Sequence, residues 1–296
     1  MITVLTPTYN RAYTLYRAYE SLKKQNNLNF EWVIIDDGSS DNTEELISGW
    51  LGEKNFHISY YKRPNGGKHR AVNFGVKKAA GEYVLILDSD DTLTADCIDF
   101  IDRHIPEVSG DEFAGLAGLR GFAGKGREEV IGGQIDDGSY IDATNIERIK
   151  FHLGGDKAEA YKTSMLKKFP FPEFEGEKFL AEGASWNRIA MAGYKLRWFN
   201  HIIYKCEYLE DGLTKNKTNE TLLKNFKGYT YNTLLDIQAK PFPYNFLAIG
   251  NYVNLAKQRE IKKKEILKVL KISSAQYCIG EMIYEMYKRT KDLKKS

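Results

Sequence analysis

The chain has 296 residues, 42% hydrophobic and 28% charged, with a formal net charge of +3. That is an ordinary globular composition with enough apolar residues for a core, so disorder and low-complexity architectures are excluded. No apolar run reaches the 18 residues of a membrane-spanning helix, and three scattered cysteines, Cys97, Cys206 and Cys278, make neither a disulfide framework nor a metal cluster.

The opening "MITVLTPTYN" reads as a first strand rather than a signal peptide, and with free thiols it points to the cytoplasm. Strand signals at 2–6, 32–35, 56–61 and 83–87 alternate with helix signals at 11–25, 41–50 and 68–80. This alternation predicts an α/β fold, a mostly parallel sheet flanked by helices, with ligands bound beyond the carboxyl ends of the strands. Asp41 and Glu44 are spaced for a capping box. Residues 110–155 are glycine-rich and read as loops and hairpins. Helix is expected at 157–168 and 179–192, around a proline-punctuated loop, and a strand at 194–204. The remainder is dominated by helix signals, interrupted at "KPFP".

Charge divides the chain. Residues 1–214 sum to −7 and residues 215–296 to +10. The predicted organisation is therefore a domain at 1–214, with halves at about 1–110 and 111–214, and a basic helical extension at 215–296. Apolar residues such as Ile261, Ile266, Leu267 and Leu270 recur among its lysines. Such a helix suits an anionic membrane surface, the inner face of the plasma membrane included, or packing on the preceding domain. No nucleic-acid partner is expected, and the pattern is compatible with a homo-oligomer.

Three strand ends carry the chemistry. In "GEYVLILDSDD" a buried-strand pattern runs into Asp88, Asp90 and Asp91. Asp88 and Asp90, two apart, share a face of an extended chain. Carboxylate oxygens suit Mg²⁺ or Mn²⁺, which add phosphate oxygens of a ligand. The competing reading is a helix cap made by Asp91, Thr92 and Thr94. In "VIIDDGSSDNT" the pair Asp36 and Asp37 can accept from a base N–H or a ribose hydroxyl, or can simply turn the chain. In "RPNGGKHRAVNFG" two glycines precede Lys68, His69 and Arg70, cations able to meet phosphates. His69 by itself reads as structural.

These stretches, in this order behind "VLTPTYNR", resemble the family 2 glycosyltransferases with their GT-A (Rossmann-like) fold, over residues 1–214. The resemblance implies an inverting transfer from a nucleotide-diphospho sugar, a UDP-sugar foremost, to a hydroxyl of a surface glycan or lipid-linked acceptor. It places Thr6 and Asp37 on the uracil, Pro7 and Tyr9 around it, and Lys68 near the nucleotide. Asp90 would hold Mn²⁺ or Mg²⁺, with Asp88 on the metal or the ribose and Asp91 as second choice. The general base falls on Glu182 in "GEKFLAEGASWNRIA", with Glu177 and Glu175 behind it; Gly183 stands where the family commonly has Asp. Trp186 and Arg188 would border the acceptor, although Trp186 also reads as core. His201 is a candidate metal ligand, and Asp211 in "YLEDGLT" could close over the diphosphate. A nucleotidyltransferase is the second reading, against which "TPTYNRAYT" offers no phosphate-loop glycine; an inactive GT-A binding protein is the third.

Overall fold

The computed structural model describes residues 1–123, 129–136, 138–207 and 218–293. Asp211 and the expected boundary near residue 214 lie outside them. The strands are β1 (Ile2–Thr8), β2 (Phe30–Asp36), β3 (His57–Lys62), β4 (Tyr83–Ile86), β5 (Thr92–Leu93), β6 (Phe113–Phe122), β7 (Tyr140–Ala143), β8 (Lys157–Lys162) and β9 (Lys195–Cys206). The helices are α1 (Ala12–Lys23), α2 (Thr43–Glu53), α3 (Lys68–Lys78), α4 (Cys97–His104), α5 (Thr163–Lys168), α6 (Gly183–Met191), α7 (Asn219–Lys224), α8 (Phe226–Ala239), α9 (Tyr244–Gln258), α10 (Lys263–Leu270) and α11 (Ser274–Leu293).

All described strands join one sheet in the order β3-β2-β1-β4-β8-β6-β9-β5, with β7 on β9. The β3-β2-β1-β4 half is parallel. It is built from apolar runs such as "ITVLTPT" and "FEWVIID", buried along their whole length, as expected for strands covered on both faces. The other half is mixed: β8 runs antiparallel to both β4 and β6, whereas β6 and β9 are parallel. One face is covered by α1, α2 and α4, which contribute Leu15, Trp50 and Ile98 to its core. The opposite core includes Val72 of α3, Leu166 of α5 and Ile189 of α6.

Three expectations change. The stretch 110–155 contains β6, a ten-residue strand at the middle of the mixed half, buried through its first seven positions. The helix expected at 157–168 is β8 followed by the short α5. The capping box does not form: Asp41 accepts instead from the Thr43 N–H at 3.1 Å and the Thr43 hydroxyl at 2.5 Å, while Glu44 pairs with Lys62.

Helices α8–α11 gather a third core around Ile249, Tyr252, Val253, Ile266 and Leu270. The apolar face of α10 is thus spent on packing. Helices α9 and α11 approach so closely that a Cβ at Gly250 would sit 2.2 Å from the Gly280 carbonyl oxygen. Among the described residues, no helix is long and apolar enough to cross a membrane.

Candidate functional site

The carboxyl ends of β1, β2 and β4 lie side by side, with β1 in the middle. Asp37 directly follows β2, and its N–H donates to the Thr8 carbonyl at the end of β1. Asp88 follows β4 by two residues. Two strand spacings, about 10 Å, therefore separate the edges that carry Asp37 and Asp88, a span a nucleotide can bridge.

Asp37 is 3% exposed, and its carboxylate accepts from the N–H groups of Gly66 at 3.0 Å and Gly67 at 2.6 Å. It therefore fixes the 65–67 loop. Gly67 has φ +96°, and a Cβ there would fall 1.9 Å from the Lys178 carbonyl oxygen, so only glycine allows the loop to lie against residue 178. Immediately afterwards α3 begins with Lys68. Its ammonium lies 2.5 Å from Asp88 Oδ1 and 2.9 Å from Glu182 Oε1. One chain of contacts thus runs from the end of β2, through the glycine loop, to the end of β4 and the start of α6.

The electrostatics follow from this packing. Burial disfavours the Lys68 charge, but Asp88 and Glu182 outweigh it and hold Lys68 above its ordinary pKa. Asp88 is likewise opposed by burial yet lowered by Lys68 and Arg120, whose guanidinium lies 3.8 Å away. Asp90 is raised by burial and by Asp88. Asp91 is pushed up to about 7 by burial, then by Asp88 and Asp90. The Tyr204 hydroxyl accepts the Asp88 N–H at 2.9 Å and is hydrogen-bonded to Asp91, whose carboxylate also accepts the Glu207 N–H at 3.1 Å. Asp91 is therefore occupied in joining the strand end to β9. It caps no helix: α4 starts only at Cys97. Among the described residues, Asp88 and Glu182 are ion-paired, whereas the Asp90 and Asp91 carboxylates are not.

The remaining expected residues separate clearly. Pro7 is buried within β1, and Tyr9, 48% exposed, stands just beyond its end. Thr6 is fully buried, and its hydroxyl accepts from Trp32 Nε1 at 2.8 Å, inside the core. Thr8, at the strand end, instead keeps a buried Oγ1 without a partner. Glu177 is 7% exposed and accepts from the Lys227 and Gly228 N–H groups at 2.7 and 2.8 Å, holding the start of α8. Glu175 is exposed. Trp186 enters the core, stacked on Tyr161 at 4.4 Å, so it offers no face to an acceptor. Arg188 donates to the Pro170 carbonyl at 2.7 Å. His201 is paired with Asp96 at 2.8 Å and stacked on Phe100. His69 is buried, and burial followed by the neighbouring Arg70 lowers its pKa to about 4.

Two groups were missed. Arg120 is the single charge in the strand "FAGLAGLRGF", and that isolation was its signal. Glu159 lies on β8, pushed up to about 7 by burial that Arg148 and Arg120 offset only in part; the helix expected there hid it. Among the described residues, no group of three or more His, Cys, Asp or Glu side chains is arranged to hold a metal ion.

Residues 3–131 match the family model described as glycosyl transferase family 2. The glycosyltransferase GlyG of Streptococcus pneumoniae is 32% identical over 115 residues, covering 39% of this chain and 38% of its own. The poly(ribitol-phosphate) beta-N-acetylglucosaminyltransferase TarS of Staphylococcus aureus is 32% identical over 179 residues, covering 58% of this chain and 29% of its own. The matches to the first curated relatives thus span between 13% and 38% of those proteins' length. A crystal structure of S. aureus TarS in complex with UDP-GlcNAc superposes with a TM-score of 0.60 at 20% identity, over 94% of this chain and 79% of that one. A mannosyltransferase from Pyrobaculum calidifontis, in complex with GDP-Man and Mn²⁺, superposes with a TM-score of 0.53 at 17% identity, over 96% and 86%. At these identities the structural likeness is one of fold. The matched sequence identifies residues 3–131 as a family 2 glycosyltransferase segment, and the chain has the GT-A fold of the solved glycosyltransferases.

Proposed function

We propose that the chain moves a sugar from a nucleotide-diphospho donor, a UDP-sugar foremost, to a hydroxyl of a glycan or lipid-linked acceptor, with inversion at the anomeric carbon. The observation that carries this reading is the Lys68 ammonium set between Asp88, from the nucleotide half, and Glu182, from the second half. The acids expected to handle the donor and the acceptor thereby meet at one point. The neighbours solved with UDP-GlcNAc and with GDP-Man support a nucleotide-sugar donor, and the name of TarS supports a glycopolymer acceptor.

In this reading the base of the nucleotide lies on the exposed Tyr9 ring, and the unpartnered Thr8 hydroxyl supplies a polar contact. Asp37 acts through the glycine loop that it holds. The acceptor hydroxyl gives its proton to Glu182 as its oxygen bonds to the anomeric carbon, and the bond from that carbon to the diphosphate oxygen breaks on the opposite face. Lys68 orients Glu182 and Asp88 throughout. Four acids, Asp88, Asp90, Asp91 and Glu182, gather around two cations, Lys68 and Arg120, and Asp90 is raised first by burial and then by Asp88, an oxygen-rich setting whose cost a divalent cation would relieve. Asp90, with Asp88 second, would hold Mn²⁺ or Mg²⁺, which would neutralise charge on the departing diphosphate.

Nucleotide release from a panel of UDP-sugars and GDP-mannose, with Mn²⁺ and with chelator, tests the reading. Metal-dependent release from one donor is expected, with Glu182→Gln reducing turnover by about 10² or more while UDP still binds. No release from any donor would remove the proposal, and an undiminished Glu182→Gln would move the base elsewhere.

A further inference from the structure

A cavity of about 540 Å³ lies between the second half of the sheet domain and the C-terminal helices. This is within the roughly 300–1,000 Å³ of small-molecule sites. Residues 145–149, the segment 179–181 and the start of α6 form one wall, and α8 and α9 form the other. Ala181 and Gly183 line it, and they flank Glu182 in the chain. Its polar groups are mostly neutral: Asn145, Asn187, Asn232 and Asn251, with Thr233. Asp236 is neutralised by Lys240 at 2.8 Å and receives the Asn187 amide. Arg148 spends one amino group on the carbonyls of Leu153 and Gly155.

Two buried polar atoms on this wall have no protein partner: Asn145 Oδ1, an acceptor, and Arg148 Nε, a donor. Buried polar atoms are rarely left open, because an unmade hydrogen bond there is costly. The amides of Asn145, Asn187, Asn232 and Asn251 and the Thr233 hydroxyl on the cavity lining both give and take hydrogen bonds, as the hydroxyl groups of a sugar do. Phe179 and Tyr229 add aromatic side chains to the lining, Tyr229 being stacked on Tyr252.

We infer that this cavity binds a neutral hexopyranose of the acceptor, with α8 and α9 completing the site. The inference rests on the reading of Glu182 as the base, since the segment that carries Glu182 also lines the cavity. The basic C-terminal segment thereby becomes part of acceptor recognition.

Saturation-transfer NMR with the methyl glycosides of glucose, galactose, mannose and N-acetylglucosamine tests this on the full chain. Two variants are compared, Ala248→Phe, which fills the cavity, and Asn232→Leu, which keeps volume but removes an amide. Thermal melting and UDP binding are measured alongside. At least one glycoside is expected to bind the wild type and to bind about tenfold more weakly to each folded variant. If no glycoside binds, or binding survives in both variants, the inference is overturned. Hydrolysis of UDP-sugars without acceptor separates it from the proposed activity. Donor turnover with glycosides that ignore the cavity defeats the inference alone. Glycoside binding lost in the variants, without turnover of any donor, supports the cavity and defeats the proposed activity.

Discussion

At Lys68 one ammonium faces two carboxylates, at 2.5 and 2.9 Å. Replacing it with methionine leaves Asp88 and Glu182 without their shared cation, beside an already acid-rich strand end. On the proposed chemistry, Lys68→Met loses about 10² in kcat/KM because Glu182 is no longer held, yet it binds Mn²⁺ more tightly, since a competing positive charge is gone. Titration of Mn²⁺ by paramagnetic relaxation reads the second effect; weaker binding would show that Lys68 does not compete for these acids. His69 gives a prediction about stability. Its folded pKa of about 4 lies below the ordinary 6.5, so the unfolded chain binds more protons between those values. Stability from burying neutral His69 is complete above about pH 6.5 and is lost as pH falls toward about 4, by on the order of 2 kcal/mol after allowance for solvent. Denaturation at a series of pH values should show a shallower acid-side fall for His69→Gln; identical slopes would refute the assignment. Asp88, Asp90 and Lys68 stood out by residue type at the ends of an alternating pattern, whereas Glu182 was reached only through the resemblance to the family. Thr6 was misplaced because sequence does not tell which of two threonines spends its hydroxyl on Trp32.

The same contrast holds for whole elements. Strands β1, β2 and β4 were plain in the sequence because strands buried on both faces are continuous apolar runs. Strand β6, "FAGLAGLRGF", is equally buried, but glycines replace the branched residues that mark a strand. Space explains the glycines: a Cβ at Gly115 would lie 2.1 Å from the Ala160 carbonyl oxygen. Strand β8, "KAEAYK", has helix-favouring residues, and pairing with β4 and β6 overrides that preference. Lys157 survives there because its ammonium donates to the Gly154 carbonyl at 2.8 Å and the Ile131 carbonyl at 3.2 Å. Glu177 shows how a carboxylate near the site can serve an element rather than the chemistry. It takes two N–H groups from the first turn of α8, so Glu177→Ala is expected to cost roughly 1–2 kcal/mol. Its kcat should stay within about twofold of wild type at a temperature where both are folded. A collapse in kcat without loss of stability would restore Glu177 as a candidate base.

At the scale of the molecule, the question is whether the basic C-terminal helices form a separate unit. Charge divides the chain near residue 214, and α8–α11 have a core of their own. The contacts across the division argue for one cooperative body. Asn225 accepts the N–H groups of Lys178 and Phe179 at 2.8 and 2.9 Å, Glu177 holds α8, and Asn187 reaches Asp236. Two of these bonds use backbone N–H groups of the 177–181 segment, and Glu177 adds its side chain; that segment leads directly to Glu182. If the helices undocked, those groups would lose their partners and the start of α6 would lose its support. Unfolding of the C-terminal core should therefore coincide with loss of the sheet domain. Calorimetry is expected to give one transition in which the van't Hoff and calorimetric enthalpies agree. Two resolved transitions, the lower one leaving donor turnover intact, would make the helices an independent module. They would also detach α8 and α9 from any part in holding Glu182.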